Sequence, residues 1–369
     1  MSRVEDKLLV MSILPLLSLS MSYGQTAGRL RWLEPKQLPD QRPLSGMVAG
    51  VAQGLLWIAG GNNFDKPILE GGRKVVHDDV YLAQDPIGCD WRYAGNLPQP
   101  VADAGCVSLN NSMLIMGGTT DGISPTDQVY AIRWNFAENR LEVDTSFAKL
   151  AYPMTAVAVA ELDGAVYLAG GRACDGEALD DFWKLEVNQD GRGDTGTWMR
   201  MPSWPGPARA GACLVAGMWG GQKALFLIGG KGRGYYQDAY VFLVETGLWQ
   251  RLPDMPRAVY YGSAIAIDGG SITVFSGSDG HDAGNAIEMA DSYHMPSDVF
   301  AFDTFDGVWR AYSKMPKGVA GASLIRLADS LLVVGGELRP GVRTDIIQVA
   351  QFEPVDRPGN QSIRKCVNE

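Results

Sequence analysis

The chain has 369 residues, of which 46% are hydrophobic and 20% charged, a composition typical of a soluble globular protein. Forty-two acidic residues against 32 basic ones give a formal net charge of −10, which argues against nucleic acid as a general partner. An acidic small molecule is not excluded, because one local arginine can override the global charge.

The first 25 residues have the pattern of a signal peptide. A short charged start precedes the apolar run LLVMSILPLLSLSMS, and the small residues Ser22 and Gly24 suit a cleavage site before Gln25. The pattern predicts a periplasmic or secreted protein with no stable membrane insertion after cleavage. The run is short for a membrane span, although an uncleaved tether is the alternative.

The cysteines show neither a CxxC pair nor the spacing of metal ligands. Cys106 and Cys213 occupy equivalent positions in two repeats, which favours small core residues over a disulfide. We therefore expect no structural metal. The five cysteines are Cys89, Cys106, Cys174, Cys213 and Cys366.

A hydrophobic run that ends in two glycines recurs along the chain at intervals of roughly 50 residues. Each copy continues through a loop into an Asp-containing strand, and most copies then reach a strand that opens with tryptophan. Four short strands per copy predict an all-β, six-bladed, kelch-type β-propeller. The repeated pairs are Gly60-Gly61, Gly117-Gly118, Gly170-Gly171, Gly229-Gly230, Ser276-Gly277 and Gly335-Gly336.

The last repeat lacks its own tryptophan strand, and the stretch 29–38 near the N-terminus resembles the missing piece. Trp32 stands where the tryptophan of that strand belongs. An outer strand from the N-terminus would complete the last blade and close the ring, leaving short edges exposed. We therefore predict a propeller over 29–354 and a tail over 355–369, the alternative being a disordered leader.

The loops that connect the second and third strands lie on one face of the predicted propeller. They are long in the first repeat (62–77) and in the fifth (278–297), and long insertions on one face usually mark the binding face. The fifth loop holds two histidines and several acids, which raises a metal site as an alternative. Only three histidines occur in the chain, so we expect no metal.

The strongest chemical signal is a carboxylate and a guanidinium in the sixth repeat. Glu337 follows the last diglycine, and Arg343 follows six residues later, after the turn at Pro340-Gly341. The turn should bring both side chains to one central pocket, although such a pair could also be a structural salt bridge. The equivalent positions elsewhere hold Asn62, Thr119, Arg172, Lys231 and Ser278, so the blade itself does not require glutamate.

The segment 336–345, GELRPGVRTD, resembles the Gly-Glu-x-x-Pro-Gly-x-Arg-Thr-Asp motif of the bacterial N-acetylneuraminate epimerases, also called sialic acid mutarotases. Residues 45–64 resemble a second unit of these periplasmic six-bladed proteins. The order of the blades differs, because here the Glu/Arg blade comes last. The chain therefore looks like a circularly permuted member, with the resemblance extending over about 29–353.

The resemblance implies an isomerase that interconverts the α- and β-anomers of N-acetylneuraminate without a cofactor. Glu337 would be the base that takes the anomeric hydroxyl proton. Arg343 would bind the carboxylate of the sugar acid through two parallel hydrogen bonds. The ring would open to a ketone and close on its other face.

Weaker candidates for substrate binding surround this pair. Asn62 and Asn63 could bind hydroxyls or the N-acetyl group, and Arg172 and Arg209 could add contacts at the blade mouths. Tyr260 is the remaining candidate; it and its neighbour Tyr261 enter an inner strand, where one is expected in the core and the other towards the funnel.

Two other functions fit the same sequence. A non-catalytic kelch propeller could bind a glycan or a protein on its loop face, because a fold alone does not settle function. A mutarotase or lyase could act on another sugar acid, since Asn62 stands where the family often has alanine.

Overall fold

The structure is a computed structural model that describes residues 29–85, 90–187, 196–267, 270–285, 289 and 292–353. The predicted signal peptide and the predicted tail over 355–369 lie outside these residues. The described chain folds into six antiparallel sheets of four main strands each, which form the six blades of a β-propeller. No helix in this part of the chain is long and apolar enough to cross a membrane.

The strands follow one another from the axis outwards in each blade. Before blade 1 come β1 (Arg29–Trp32) and β2 (Lys36–Gln37), with a 3₁₀ turn at Pro39–Gln41. Blade 1 begins with β3 (Val48–Ala52) and β4 (Leu55–Ala59). A projecting hairpin follows, made of β5 (Asn62–Phe64) and β6 (Lys74–Val76) with a 3₁₀ turn at Ile68–Glu70 between them. The blade is completed by β7 (Asp79–Ala83) and β8 (Arg92–Asn96). Blade 2 contains β9 (Gly105–Ser108), β10 (Met113–Met116), β11 (Val129–Asn135) and β12 (Arg140–Asp144).

The next three blades repeat this arrangement. Blade 3 contains β13 (Ala158–Leu162), β14 (Ala165–Ala169), β15 (Phe182–Glu186) and β16 (Met199–Met201). Blade 4 contains β17 (Cys213–Trp219), β18 (Gln222–Ile228), β19 (Ala239–Leu243) and β20 (Leu248–Leu252). Blade 5 contains β21 (Ser263–Ile267), β22 (Ser271–Phe275), β23 (Asp298–Asp303) and β24 (Val308–Lys314).

Blade 6 combines strands of the last repeat with an outer strand from near the N-terminus, as the sequence predicts. It contains β25 (Ser323–Leu327), β26 (Ser330–Val334), the hairpin β27 (Glu337–Arg339) and β28 (Val342–Arg343), and β29 (Ile346–Glu353). The outermost strand is β1, which pairs with β29 from Arg29 opposite Glu353 to Trp32 opposite Ala350. The short strand β2 extends the pairing along β29.

The core lies between the blades. The second strand of each blade is nearly all apolar and is buried almost throughout, because neighbouring sheets cover both of its faces. Among the described residues, each pair of adjacent blades encloses one main cluster of buried apolar side chains. The cluster between blades 6 and 1 joins Ile347 to Leu56, so the closing interface is packed like the other five.

Tryptophans of several outer strands form hydrogen bonds with the preceding blade. The indole N–H of Trp249 donates to the Pro202 carbonyl at 2.8 Å, and that of Trp309 donates to the Pro253 carbonyl at 2.8 Å. Trp32 makes the corresponding contact from β1, where its N–H lies 3.4 Å from Ser313 Oγ of blade 5. The strand recruited from the N-terminus thus carries the same inter-blade contact as the others.

The diglycines are required by the contact between adjacent blades. The second glycine of each pair donates its N–H to a carbonyl of the next blade, as Gly171 does to Arg209 at 2.8 Å. The first glycine has a φ near +60°, and a Cβ there would overlap the same carbonyl oxygen. Blade 5 keeps this bond, since Gly277 donates to the Val319 carbonyl at 3.0 Å, but it has serine as the first residue of the pair, and Ser276 Oγ donates to the same carbonyl at 2.8 Å.

A closed ring of backbone hydrogen bonds surrounds the axis. One residue from each blade adopts a left-handed conformation and donates its N–H to the carbonyl of the ring residue in the preceding blade, at 2.8–2.9 Å. The circle closes where Gly46 of blade 1 donates to Gly321 of blade 6. We call this set the axial ring; its members are Gly46, Asp103, Ala156, Gly211, Tyr261 and Gly321.

We predict that Gly170→Ala is markedly more destabilising than Gly220→Ala. Both glycines have φ near +60°, so alanine at either should cost about 1 kcal/mol in backbone strain. Only at Gly170 does the new methyl overlap a neighbouring carbonyl, which should add roughly 1–3 kcal/mol. Urea unfolding of both variants measures the difference, and equal losses of stability would contradict this account of the diglycines.

Candidate active site

The residues that follow the diglycines all lie beside the axis on one face. Each forms a mutual pair of backbone hydrogen bonds with the residue just before the axial ring. The predicted equivalence of these six positions is therefore confirmed by backbone pairing. The pairs are Asn62 with Ser45, Thr119 with Ala102, Arg172 with Thr155, Lys231 with Ala210, Ser278 with Tyr260, and Glu337 with Ala320.

The structure brings Glu337 and Arg343 together. The Pro340-Gly341 turn forms the hairpin of β27 and β28, in which Glu337 pairs directly opposite Arg343. Their side chains form a salt bridge between Glu337 Oε1 and Arg343 Nη1, and the Gly341 N–H donates to the same carboxylate oxygen at 2.6 Å. Glu337 keeps 24% of its side chain exposed against 8% for Arg343, so the carboxylate is the more accessible partner.

Asn62 fixes the guanidinium from the neighbouring blade. Its Oδ1 accepts hydrogen bonds from Arg343 Nη2 at 3.1 Å and from Nε at 3.3 Å. Its own Nδ2 donates to the Ser45 carbonyl at 3.1 Å, and the residue is only 1% exposed. Asn62 therefore acts on Arg343 and not, as predicted, directly on a ligand. Phe64 adds its ring 5.0 Å from Arg343 Cζ.

These contacts orient Arg343 and leave it able to bind an anion. A guanidinium has five N–H donors, and Glu337 and Asn62 occupy only some of them. Both terminal nitrogens retain a donor that could meet a planar carboxylate, which is the geometry that favours arginine over lysine at such sites.

Two members of the axial ring carry functional groups towards the same region. Asp103 belongs to blade 2 and Tyr261 to blade 5, which are opposite positions of the ring. Burial raises the pKa of Asp103, an effect that Lys74 and Arg343 oppose and Glu337 reinforces. Burial also raises the pKa of Tyr261 well above its ordinary value, with a contribution from Asp103.

The sequence contained a signal for Asp103 that the prediction did not use. When the six repeats are aligned on the position two residues before each inner strand, four repeats hold glycine or alanine there, and the others hold Asp103 and Tyr261. A bulky or charged residue where the backbone favours glycine marks a position worth testing for function.

A cationic and aromatic group lies on blades 3 to 5. The Tyr260 ring is 5.7 Å from the Tyr235 ring, and Lys231 Nζ lies 3.2 Å from the Tyr235 hydroxyl. Burial raises the pKa of Tyr260 to about 12, and the nearby positive charge of Arg172 opposes this rise. Arg172 and Tyr260, both predicted for substrate binding, are thus close to each other and near the axis.

Arg209 has a structural position instead of the predicted one at the blade mouth. Its side chain is 0% exposed and forms two parallel hydrogen bonds with Asp238, at 2.8 and 3.0 Å. It also donates to the Gly229 and Pro207 carbonyls and contacts the ring faces of three aromatic residues. We therefore leave Arg209 out of the site, because no donor faces the axis.

Asn63 also points away from Arg343. Successive residues of a strand face opposite sides, so Asn62 and Phe64 share the side of Arg343 while Asn63 does not. Asn63 Oδ1 accepts from His77 Nε2 at 2.9 Å, and Arg42 donates to the other ring nitrogen of His77 at 3.2 Å. Burial lowers the pKa of His77, in keeping with a neutral imidazole that bonds on both sides.

The axial ring surrounds a cavity of about 150 Å³, bordered by the ring residues, by the residue that follows each of them and by Ser323 at the start of β25. In the part of the chain that the structure describes, no group of three or more His, Cys, Asp or Glu side chains is placed to hold a metal. Two acids of the fifth loop, Glu288 and Asp291, lie outside the described residues.

Part of the chain is similar to curated bacterial enzymes. The N-acetylneuraminate epimerase of Yersinia pestis is 25% identical over 201 residues, covering 46% of this chain and 49% of the relative. The enzymes of the same name from Haemophilus influenzae and Salmonella enteritidis are 31% identical over 128 residues and 22% identical over 207 residues. They cover 30% and 48% of this chain, and 32% and 52% of the relatives.

The chain thus spans about half the length, or less, of the curated relatives it matches. No family model matches the chain.

We predict that Asp103→Asn stabilises the fold and does so increasingly as pH rises. A carboxyl whose pKa is raised by folding favours the folded state only below its ordinary pKa of 3.8, and this support is lost as pH rises through the folded pKa. Asparagine does not titrate and tolerates the left-handed backbone. The melting temperature of the variant relative to wild type should therefore increase from pH 4 towards pH 8.

The matched control is Glu245→Gln, which removes an exposed acid from the turn between β19 and β20. Its melting temperature should follow that of the wild type at every pH. A constant difference between Asp103→Asn and wild type across the range would show that Asp103 titrates as an ordinary solvated carboxyl.

Proposed function

We propose that the protein is a mutarotase that interconverts the α- and β-anomers of N-acetylneuraminate by acid–base ring opening. The observation that carries the proposal is the Glu337–Arg343 pair, joined in one hairpin beside the axis and fixed from the next blade by Asn62. The partial similarity to enzymes named N-acetylneuraminate epimerase supports the choice of sugar.

Arg343 positions the substrate. In a 2-keto sugar acid the carboxylate is attached to the anomeric carbon, so a carboxylate bound by two parallel hydrogen bonds fixes that carbon beside the guanidinium. Because Asn62 holds Nε and Nη2 from blade 1, the plane of the guanidinium is set before the substrate arrives. Preorganisation of this kind lowers the entropic cost of binding.

Glu337 moves the proton. Its carboxylate is held by Arg343 and by the Gly341 N–H on the same oxygen, Oε1, which leaves Oε2 to accept the anomeric hydroxyl proton. As that proton leaves, the hydroxyl oxygen forms the ketone, the bond from the anomeric carbon to the ring oxygen breaks, and the ring oxygen gains a proton to become a hydroxyl; closure reverses these changes. After rotation of the open chain, the same carboxylate returns the proton to the oxygen that becomes the new hydroxyl.

In this proposal the rest of the sugar binds across the axis from Glu337 and Arg343, on blades 3 to 5. Arg172 and Tyr260 present a guanidinium and a phenol near the axis, and Lys231 and Tyr235 extend this group into blade 4. Such donors suit the hydroxyl and N-acetyl groups of a sugar acid. They are also the positions where a preference for another sugar acid would arise.

We also propose that the chain is a circular permutation of the epimerase arrangement. In a closed ring every blade keeps both neighbours wherever the chain begins, and here the ring closes between blades 6 and 1 by the same contacts as elsewhere. Export to the periplasm or out of the cell is part of the same proposal. It rests on the N-terminal sequence pattern.

Glu337→Gln should remove catalysis. Glutamine keeps the shape and can accept from Gly341, but it cannot take the hydroxyl proton, so the enzymatic rate should fall by about 10²–10⁴-fold. The measurement is proton NMR of N-acetylneuraminate, following relaxation of freshly released α-anomer to equilibrium. Glu245→Gln serves as the exposed-acid control and should retain full activity.

Failure of the wild type to exceed the buffer rate would reject the activity and favour a propeller that binds a glycan or protein. A wild-type rate in Glu337→Gln would keep the enzyme and reject its base. If the protein accelerated the mutarotation of another sugar acid but not that of N-acetylneuraminate, the substrate assignment would change and the mechanism would stand.

Arg343→Lys should affect mainly substrate binding. A lysine ammonium cannot hold a carboxylate by two parallel hydrogen bonds, nor can it donate to Asn62 Oδ1 from two nitrogens at once. We expect KM to rise by about 10–100-fold, in line with the loss of one charge-assisted hydrogen bond. A change confined to kcat would show that Arg343 acts on the proton transfer and not on the carboxylate.

A further inference from the structure

The fold does not require the side chain of Asp103. Its backbone completes the axial ring through one N–H and one carbonyl, contacts that glycine makes at Gly46, Gly211 and Gly321. With φ at +55°, a residue other than glycine costs roughly 1–2 kcal/mol there. Removing part of its carboxyl from water adds a further cost. A side chain retained at a strained position that favours glycine is a reason to look for function.

The Asp103 carboxyl lies near Asn62, the residue that binds the Glu337–Arg343 pair. Its Oδ1 lies over Gly46, where a methyl group would overlap it and would be 3.1 Å from Asn62 Nδ2. Asn62 in turn accepts from Arg343, and Arg343 binds Glu337. Three adjacent blades thus bring Asp103, Asn62 and the Glu337–Arg343 pair to one region beside the axis.

No described side chain forms a hydrogen bond with the Asp103 carboxyl, which leaves it available to a ligand. The charged and titratable groups that face it are Lys74 from β6, Arg343 and Glu337 from blade 6, and Tyr260 and Tyr261 from across the axis. Burial opposes its ionisation, and so does the negative charge of Glu337. Lys74 and Arg343 limit the effect.

The reaction assigned to the site needs a second group besides Glu337. Opening the ring leaves an electron pair on the ring oxygen, and that oxygen must receive a proton as its bond to the anomeric carbon breaks. Two carboxyl groups in different environments divide such roles naturally, one ionised and paired with a cation, the other protonated. Glu337 is the paired carboxylate here, and Asp103 is the one without a bound cation.

We propose that Asp103 is the general acid of the mutarotase, giving its proton to the ring oxygen as the ring opens and regaining it as the ring closes. In the forward step Glu337 gains the hydroxyl proton, and the electron pair of the hydroxyl O–H bond becomes the π bond of the ketone. The electron pair of the broken carbon–oxygen bond stays on the ring oxygen, which Asp103 protonates. Closure reverses each transfer, so both carboxyl groups end as they began. This inference rests on the proposed function.

The test is the pH dependence of kcat for wild type, Asp103→Asn and Tyr261→Phe, measured by NMR exchange between the anomers. With an ionised base and a protonated acid, wild type should give a bell-shaped profile. Asp103→Asn should lower kcat by about 10²–10³-fold, keep KM within about threefold and lose the limb on the alkaline side. Tyr261→Phe should keep the bell, with kcat reduced less than about tenfold.

Two further variants separate chemistry from structure. Ala156→Gly changes the neighbouring ring residue, keeps the backbone ring and should keep the wild-type profile. Asp103→Gly retains the left-handed backbone and opens a space where added acetic acid could act, so acetate buffer should restore part of kcat in a concentration-dependent way. The same buffer should leave Ala156→Gly unchanged.

The outcomes distinguish this inference from the proposed function. Wild type that fails to accelerate mutarotation removes the proposed function, and the inference with it. If wild type is active and Asp103→Asn has the same kcat and the same alkaline limb, the proposed function stands, but Asp103 is not the general acid. Loss of the alkaline limb in Tyr261→Phe, with Asp103→Asn retaining it, would transfer the role to the phenol.

Discussion

The backbone hydrogen bonds between blades are the constraint on which the rest of the structure depends. Each blade donates twice to its neighbours, once from the second glycine of its diglycine and once from its residue in the axial ring. The same kind of bond joins the last blade to the first, because Gly336 of blade 6 donates to the Leu44 carbonyl before blade 1. Because every donor and acceptor is a main-chain atom, the arrangement tolerates wide variation of side chains, provided that glycine stands where a Cβ would overlap the next blade.

This constraint also explains why the candidate site lies where the ring closes. The residue after each diglycine is bonded through its backbone to the residue before the axial ring, so six residues are placed beside the axis whatever their side chains are. Glu337 comes from the last blade and Asn62 from the first, and they meet through Arg343 across the closing interface. The strand β1 that completes blade 6 therefore supports the geometry of the site as well as the fold.

The sequence predicted the features that depend on local repetition and failed where contacts between blades decide. The diglycine period gave six blades, Trp32 marked the closing strand, and the Pro340-Gly341 turn placed Glu337 opposite Arg343. The loop of the first repeat was not recognised as a hairpin, so the opposite directions of Asn62 and Asn63 could not be foreseen. Arg209 looked accessible because its partner Asp238 lies 29 residues away. Asp103 was missed because its backbone conformation is imposed by the ring and not by its neighbours in sequence.

The distribution of charge gives an independent argument about the ligand. The protein has a formal net charge of −10, yet the axial face gathers Arg343, Lys74, Arg172 and Lys231 around the ring. Two of these cations act on Asp103 and one on Tyr260, so their fields overlap near the axis. Cations grouped on one face of an acidic protein favour the binding of small anions there, while the remaining surface repels large polyanions. A compact sugar acid satisfies both conditions, whereas an anionic polymer such as nucleic acid would meet the repulsion over most of its length.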